Sequence, residues 1–339
     1  MGNSPAMDMA FAERYLLARF PSGGVVVDLE SGNYFRVNRS AALVCEVLRA
    51  TNSKTDAHSR VSEELQISPD EATRAIGSVV AMLSTPATRG EIQGPYHFYP
   101  AEGGYGIWHG NRCVLEVDGG NLEICLASDA TSEPPERIEL YVRALAPKLL
   151  FQKEITVLHA AACIAGGKLI AFAGLSGAGK TTTARAFRDA GAKLVSEDLV
   201  VLAPSEGRPE MLTGGEAFIH SWARWAAVQL LSQPRKALSS EGLTGFVGGP
   251  TVRLDRILFL DRSRRRGTEF VALPIPEPDA LISLMAHDFL GAVEPAAWRR
   301  FFARAMALLE LVEMREAKAP DGVEGLVGAA GRYISSTAS

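Results

Sequence analysis

The stretch AFAGLSGAGKTTTARAF, residues 171–187, contains a complete phosphate-binding signature. In the pattern GxxxxGK[ST], glycines let backbone amides turn towards phosphate oxygens, the lysine adds a positive charge, and the hydroxyl binds magnesium. We therefore predict that this loop and the residue after it bind ATP together with Mg²⁺. The predicted contacts are Gly174, Leu175, Ser176, Gly177, Ala178, Gly179, Lys180, Thr181 and Thr182.

The residues around the loop indicate its structural context. KLIAFA, residues 168–173, is typical of a buried strand, and KTTTARAFRDAG, residues 180–191, is typical of a helix that ends at Gly191. From Ile155 onward, apolar runs alternate with a helix, as in a sheet protein with crossover connections. The fold class predicted for this part of the chain is α/β.

A histidine is predicted at the mouth of the loop. In ITVLHAAACIAGGKLIAFAG, two apolar runs flank Gly166–Gly167, so the strand that enters the loop has an antiparallel partner. A three-residue turn places His159 opposite Ala173, and a two-residue turn places it opposite Gly174. A single histidine on an apolar strand is also typical of a core residue, and that alternative stays open.

Two adjacent acids, Glu197 and Asp198, interrupt the apolar residues of AKLVSEDLVVL. A right-handed crossover would lay this strand parallel to the loop strand, with the acids at the end where ligands bind. Phosphoryl transfer needs a magnesium ligand and a group that accepts the proton of the attacking hydroxyl, and a carboxylate can serve as either. We predict Asp198 as base, His159 as the residue that orients it, and Thr181, Glu197 and Asp198 as metal ligands. A plain loop between strands is the alternative.

A rival acid stands at Asp261, after the apolar run RILFL. A strand that ends in aspartate resembles the magnesium site of many P-loop ATPases, which would indicate a hydrolysing switch or motor. The following RSRRRGTE is more typical of a solvated turn, so Asp198 remains the preferred acid.

The N-terminal segment is predicted to form a small unit without catalytic residues. GVVVDLESGNYFRVN, starting at Gly24, reads as a hairpin, and RSAALVCEVLRAT reads as a helix capped by Ser40. A short helix follows, and Ser68 caps a long helix whose inward residues include Ile76 and Leu83.

The region after residue 84 is predicted to be a Pro- and Gly-rich linker followed by an antiparallel sheet. The segments YGIWHG, RCVLEVDG and NLEICLAS alternate apolar and polar residues, and PPERIELYVRALAPKLLFQKE begins a helix after two prolines. Further along the chain, Trp222, Trp225 and His220 are predicted to fill a core.

Composition limits the classes of function. A net charge of −4 gives no overall attraction to nucleic acid, so no nucleic-acid partner is predicted. The four cysteines form no CxxC pair, which favours free thiols in a reducing compartment. No signal peptide and no run of about 18 apolar residues is present, so we predict a cytoplasmic protein without a membrane partner. An oligomer of identical chains stays open.

The region LHAAACIAGGKLIAFAGLSGAGKTTTARAFRDAGAKLVSEDLVVL resembles the HPr serine kinase/phosphorylase family, and more closely its relatives associated with ribosomal peptide modification. That family has a histidine before the loop, a Walker A motif and a pair of acids, places occupied here by His159, residues 174–181, Glu197 and Asp198. The family pairs two aspartates where this chain has Glu then Asp. The resemblance implies a serine kinase; Glu216, in GGEAFIHSWARWA, is a weak candidate for a second metal contact.

SGNYFRVNRSAALVCEVLRA, starting at Ser31, resembles the PqqD-like peptide-recognition domain, a winged-helix module. Together the resemblances imply a PqqD-like domain over residues 1–87, a β-rich connector over 88–150 and a P-loop kinase domain over 151–339. The implied function is phosphate transfer from ATP to a serine hydroxyl of a precursor peptide. A nucleotide-gated ATPase or binding protein and a small-molecule kinase are the alternatives.

Overall fold

A computed structural model describes residues 10–51, 54–84, 97–101, 104–203, 208–234, 236–260, 268–286, 295–320 and 322–337. The chain divides into two compact units. The N-terminal unit lies within Met1–Ile92 and adds Pro276–Ile282 and Glu294–Met306 from the C-terminal part. The loop-bearing unit lies within the remaining segments, Gln93–Ile275, Ser283–Val293 and Ala307–Ser339.

The N-terminal unit is built on a small antiparallel sheet covered by helices. Its elements are α1 (Ala10–Arg14), β1 (Tyr15–Phe20), β2 (Gly23–Asp28), β3 (Tyr34–Val37), α2 (Arg39–Ala50), α3 (Lys54–Leu65) and α4 (Pro69–Ser84). The strand order is β1-β2-β3, with Val27 opposite Tyr34, so the predicted hairpin is present as β2 and β3. Strand β1 was not predicted, although PSGG at residues 21–24 is a turn signal between two apolar runs.

Local hydrogen bonds from side chains cap the N-terminal ends of α2 and α4. Helix α2 is capped by Asn38 and not by Ser40, because the Asn38 side chain accepts a hydrogen bond from the Ala41 amide at 2.9 Å. Asn38 has extended backbone directly after β3. The cap therefore lies two residues before Ser40, and the helix begins at Arg39. Ser68 and Glu71 form a reciprocal capping box at α4, as Ser68 was predicted to do.

A buried carboxylate joins the two ends of the first hairpin. Asp28 is 2% exposed and accepts hydrogen bonds from Arg14 at 3.0 and 2.9 Å and from the Ser31 hydroxyl at 2.7 Å. Burial opposes the charge of Asp28, but the hydrogen bonds from Arg14, Ser31 and the Glu30 amide outweigh it and lower the pKa of the carboxyl. The ion pair therefore ties the start of β1 to the turn after β2.

The loop-bearing unit contains a small and a large sheet, with helices packed on them. Its strands are β4 (His97–Ala101), β5 (Gly104–His109), β6 (Arg112–Asp118), β7 (Glu123–Leu126), β8 (Thr156–Leu158), β9 (Ala160–Ala165), β10 (Lys168–Ala173), β11 (Lys193–Ser196), β12 (Val200–Leu202), β13 (Glu210–Leu212), β14 (Leu238–Ser239), β15 (Thr251–Leu260), β16 (Val271–Pro274) and β17 (Glu313–Lys318). The remaining helices of the chain are α5 (Pro135–Gln152), α6 (Lys180–Asp189), α7 (Gly215–Ser232), α8 (Glu277–Ala286), α9 (Pro295–Leu311) and α10 (Val323–Thr337).

The small sheet has the order β14-β7-β6-β5-β4 and contains the three predicted strands of the β-rich segment. The apolar face of this sheet, α5, α7 and strands β8 and β12 contribute to one hydrophobic core. Residues assigned from sequence to a connector and to a catalytic domain therefore share a core. Trp222 is buried there as predicted, whereas Trp225 is exposed, because the buried stripe of α7 runs through Ile219, Trp222, Ala223, Ala226 and Leu230 and leaves Trp225 outside it.

The large sheet positions the loop strand. Its order is β11-β9-β10-β15-β13-β12-β8, and β17 pairs with β15 and β16. Strand β10 is antiparallel to β9 and parallel to β15, and Lys168 opposite Ala165 gives a two-residue Gly166–Gly167 turn. Strand β11 is antiparallel to β9, so it runs in the same direction as β10, as predicted, but with β9 between them. None of the helices in the described residues combines the length and hydropathy needed to cross a membrane.

We predict that Asp28→Asn lowers the free energy of unfolding of the N-terminal unit by about 1–3 kcal/mol, because the hydrogen bonds from Arg14 lose their buried charged acceptor, while Arg14 keeps its pair with the exposed Glu30. Hydrogen exchange of the β2 amides in the full chain measures this loss. Glu46→Gln is the matched control, since the exposed Arg19–Glu46 pair contributes little. The pKa of Asp28 is lowered on folding, so its contribution is present above pH 3.8 and is lost as the pH falls through the folded value. Equal exchange in both variants would contradict the assignment.

Candidate functional site

Three glycines give the loop between β10 and α6 its shape. Gly174, Gly177 and Gly179 have φ values of 154°, 77° and 95°, in the region that other residues rarely adopt. A Cβ atom on Gly174 would stand 2.8 Å from the Leu260 carbonyl oxygen and 2.9 Å from the Ala178 Cβ. Gly179 also forms the N-cap of α6, so the loop leads directly into a helix N-terminus. Positive-φ glycines before a helix N-terminus are the features that the predicted anion-binding loop requires.

The lysine of the signature is a buried cation. Lys180 is 6% exposed, and its Nζ donates to the carbonyl oxygens of Gly174 at 2.9 Å and Leu175 at 3.3 Å. Burial lowers the pKa of Lys180, and the charge of Asp198 acts in the opposite direction. Across the described ranges Lys180 forms no ion pair, so its charge is compensated only by two carbonyl dipoles and a more distant carboxylate. Such a lysine favours an anion in the loop.

The predicted histidine and acid each lie at a short interruption between two consecutive strands. His159 separates β8 from β9, and Glu197–Asp198 separates β11 from β12. Because β11 pairs with β9 and β12 pairs with β8, the two breaks fall at the same level of the sheet. His159 therefore lies opposite Gly174, in the register of the two-residue turn, and its Nε2 contacts Asp198 Oδ1 at 3.1 Å.

Asp198 is held as a carboxylate. The hydrogen bond from His159 lowers the pKa of Asp198, burial opposes this effect, and the positive charges of Arg143 and Lys180 lower the pKa further. Asp198 is therefore ionised at neutral pH. Arg143, on α5, was not singled out from the sequence, because one basic residue inside an amphipathic helix carries no signal of its own.

Glu197 holds the bend between β11 and β12 in place through its hydrogen bonds. Its carboxylate accepts two hydrogen bonds from Arg185, at 2.9 and 2.7 Å, and its amide donates to Glu216 Oε2 at 2.9 Å. Its carbonyl oxygen accepts a hydrogen bond from Thr181 Oγ1 at 3.1 Å. The two acids predicted as partners thus have different surroundings, since Asp198 contacts His159 and Glu197 is bound to α6 and α7.

Thr181 retains the capacity to bind a metal ion. Its hydroxyl proton is donated to the Glu197 carbonyl, so the remaining lone pairs of Oγ1 can act as ligands. The residues at the tip of the loop, Leu175, Ser176 and Gly177, are exposed, as is Thr182 on the first turn of α6. Asp261, the rival acid, lies outside the described residues.

Helix α7 brings Glu216 and His220 close to Asp198, a role that the sequence analysis gave only weakly to Glu216 and not to His220. Ligand atoms of Asp198, Glu216 and His220 all lie within 4.8 Å of one another. His220 was expected in a core, yet it lies one turn after Glu216 on the same face of α7. The i, i+4 spacing of Glu216 and His220 at a helix start, after two glycines, is a signal that could have indicated the pair.

Comparison with known proteins bears on the N-terminal unit. Residues 23–85 match the sequence profile of the family described as Coenzyme PQQ synthesis protein D (PqqD), which confirms the predicted likeness of this segment. The match runs from β2 to the end of α4 and stops well before the loop at residues 174–181. The chain matches no curated protein.

We predict that Gly174→Ala weakens binding of ATP by at least about tenfold, because the added methyl group collides with the backbone of Leu260 and strains the loop. Isothermal titration calorimetry with ATP and Mg²⁺ measures the affinity. Gly77→Ala is the matched control, since a Cβ at that helical position meets no atom within 4 Å. Wild-type affinity in the Gly174 variant would contradict an anion-binding role for this loop.

Proposed function

We propose that the protein is an ATP-dependent kinase that transfers the terminal phosphoryl group to a serine hydroxyl in a peptide bound by the N-terminal unit. The observation that carries this proposal is the 3.1 Å contact between His159 and Asp198 beside the loop that holds Lys180. A phosphate-binding loop alone is compatible with many activities. An oriented carboxylate beside it supports transfer to an acceptor hydroxyl.

In this proposal the loop residues bind the phosphates of ATP and neutralise part of their negative charge. Backbone amides at the start of α6 and the Lys180 ammonium would contact phosphate oxygens, and Thr181 would provide a hydroxyl ligand to magnesium. ATP supplies the phosphoryl group, and Mg²⁺ offsets part of its negative charge. The buried position of Lys180 makes its charge effective, because little water is present to screen it.

Asp198 accepts the proton of the acceptor hydroxyl. As the hydroxyl oxygen bonds to the terminal phosphorus, the phosphorus–oxygen bond to ADP breaks and the proton passes to Asp198. A carboxylate with a lowered pKa is a weak base, but the loose transition state of phosphoryl transfer requires little proton removal before attack. His159 orients the carboxylate through its hydrogen bond.

Glu197 is a positioning residue in this proposal. Its contacts with Arg185, Glu216 and Thr181 fix the backbone from which the Asp198 side chain projects. The ligand set predicted from the sequence is accordingly reduced to Thr181 and Asp198, since the Glu197 carboxylate is engaged by a guanidinium. The resemblance to HPr kinase-like proteins supports the same reaction, with the roles of the two acids divided by their surroundings.

The N-terminal unit is proposed to bind the substrate peptide. It contains the PqqD-like segment, and in the described residues β3 pairs with β2 and with no other strand. An extended peptide can therefore add to the open edge of β3 and contact the neighbouring helix α2. Such binding raises the effective concentration of the acceptor serine near the loop.

We predict that Asp198→Asn lowers the rate of phosphate transfer by about 10²–10⁴-fold and leaves ATP affinity largely unchanged, because the base is lost but the loop is intact. Lys180→Ala should weaken both. Transfer is measured as incorporation of labelled phosphate into the peptide encoded beside the gene, with mass spectrometry to locate it.

Two controls separate base loss from general damage. Asp189→Asn removes an exposed acid on the same unit, paired with Arg188, and should leave transfer unchanged. Glu197→Gln keeps the backbone contacts of the bend and should reduce transfer by less than about tenfold, the weight of one charge-assisted pair. Retained transfer in Asp198→Asn would exclude Asp198 as base. Rapid ATP hydrolysis without a labelled acceptor would favour a nucleotide-gated ATPase.

Peptide binding is predicted to protect the amides of β3 in the full chain from hydrogen exchange, because they gain partners in an added strand. The probe is the same adjacent peptide, and β1, the opposite edge of the sheet, serves as the internal control. A peptide N-methylated at alternate residues should bind at least about tenfold more weakly. Equal affinity of the methylated peptide, or protection of β1 alone, would contradict strand addition to β3.

A further inference from the structure

The side chains of Asp198, Glu216 and His220 converge at one point in the loop-bearing unit. Their ligand atoms lie within 4.8 Å of one another, and each residue is partly buried. Two carboxylates in such proximity repel each other unless a proton or a cation lies between them. The cluster therefore favours a cation.

The histidine supplies a separate observation that points to a ligand. Nε2 of His220 is shielded from solvent and has no hydrogen-bond partner in the described part of the chain. A buried polar nitrogen without a partner is costly, and a metal ion is one partner that a neutral imidazole nitrogen accepts. The Glu197 amide holds Glu216 in place, since Glu216 Oε2 accepts its hydrogen bond at 2.9 Å.

We propose that Asp198, Glu216 and His220 bind a first-row transition-metal dication, such as Mn²⁺ or Zn²⁺, in the absence of nucleotide. Bonds of about 2.0–2.2 Å keep the ligand atoms of such an ion no more than about 4.4 Å apart, so the cluster needs to close only by a few tenths of an ångström. Imidazole favours these metals over Mg²⁺, whose preferred ligands are oxygens.

The site goes beyond the phosphoryl transfer proposed above and does not require it. Asp198 contributes the oxygen that His159 does not contact, since a carboxylate offers two. Three protein ligands leave coordination positions open, so a phosphate or hydroxyl oxygen could complete the sphere. Asp198 is shared with the magnesium site proposed above, whereas Glu216 and His220 on α7 belong to this cluster alone, so the two sites are distinguished by the ligands of α7.

The test is a titration of the full chain with Mn²⁺ and no nucleotide, followed by electron paramagnetic resonance of the free ion. One ion per chain is expected, and pulsed measurements should detect coupling to an imidazole nitrogen. His220→Phe keeps the ring volume and should lower the affinity by at least about tenfold and abolish that coupling. Glu216→Gln should weaken binding in the same direction.

The controls make the outcome decisive. His58→Phe alters a histidine on α3 of the other unit and should leave Mn²⁺ binding unchanged, as should Asp189→Asn, which removes an exposed acid of the same unit. Circular dichroism without metal shows whether each variant is folded. Wild-type affinity and nitrogen coupling in folded His220→Phe, or no Mn²⁺ binding by the wild type, would overturn the proposal. Phosphate transfer is not part of this assay, so either proposal can fail alone.

Discussion

The hydrogen bond between His159 and Asp198 depends on one constraint, which is that two neighbouring strand pairs break at the same level of the sheet. If β8 and β9 were one continuous strand, the regular alternation of side chains would decide where His159 points. If β11 continued into β12, the same would hold for Asp198. The coincident breaks release both side chains from that alternation and place them at the end of β10 where the loop begins.

The breaks are stabilised mainly from the side of Glu197. Glu197 makes backbone contacts to Thr181 and Glu216 and a side-chain pair with Arg185, so α6 and α7 are both attached to the bend. Because α6 begins directly after the loop at residues 174–179, a shift of the loop would displace the bend that carries Asp198. In the proposed reaction, Glu197 would therefore position the backbone and Asp198 would act on the acceptor hydroxyl.

Much of the architecture around the loop was readable from the sequence. The glycine spacing, the Gly166–Gly167 turn and the apolar runs depend on local patterns, and they predicted β10 and α6 where the structure has them. The run before the turn and AKLVSEDLVVL were each expected as one strand, but the structure divides them into β8 and β9 and into β11 and β12. The contact of His159 with Asp198 followed from strand direction, although β9 lies between β10 and β11. The contacts of Arg143 and Arg185 could not be predicted, because each lies on a helix whose orientation is decided by tertiary packing, whereas the spacing of Glu216 and His220 on α7 was a signal that was not used.

In the N-terminal unit too, the features that were predicted correctly depend on residues that are close together in the sequence. The Ser68–Glu71 box was predicted from the sequence, whereas the cap of α2 was not: β3 ends at Val37, and Asn38 directly after it caps a helix that begins at Arg39. The recruitment of Pro276–Ile282 and Glu294–Met306 into this unit had no sequence signal, since it depends on contacts between distant segments. The ion pair of Arg36 with Asp279 is one such contact.

Charge balance connects the proposed cation to the reaction at the loop. Lys180 and Arg143 are two cations whose charges act on Asp198, and Asp198 and Glu216 contribute two negative charges. These four charges cancel before any ligand binds. A triphosphate adds several negative charges, and two protein cations already matched by carboxylates cannot offset them. A dication on the Asp198–Glu216–His220 cluster would neutralise the carboxylates and leave Lys180 and Arg143 available to the phosphate. The same ion would lower the proton affinity of Asp198, so metal occupancy and proton transfer at this carboxylate are coupled.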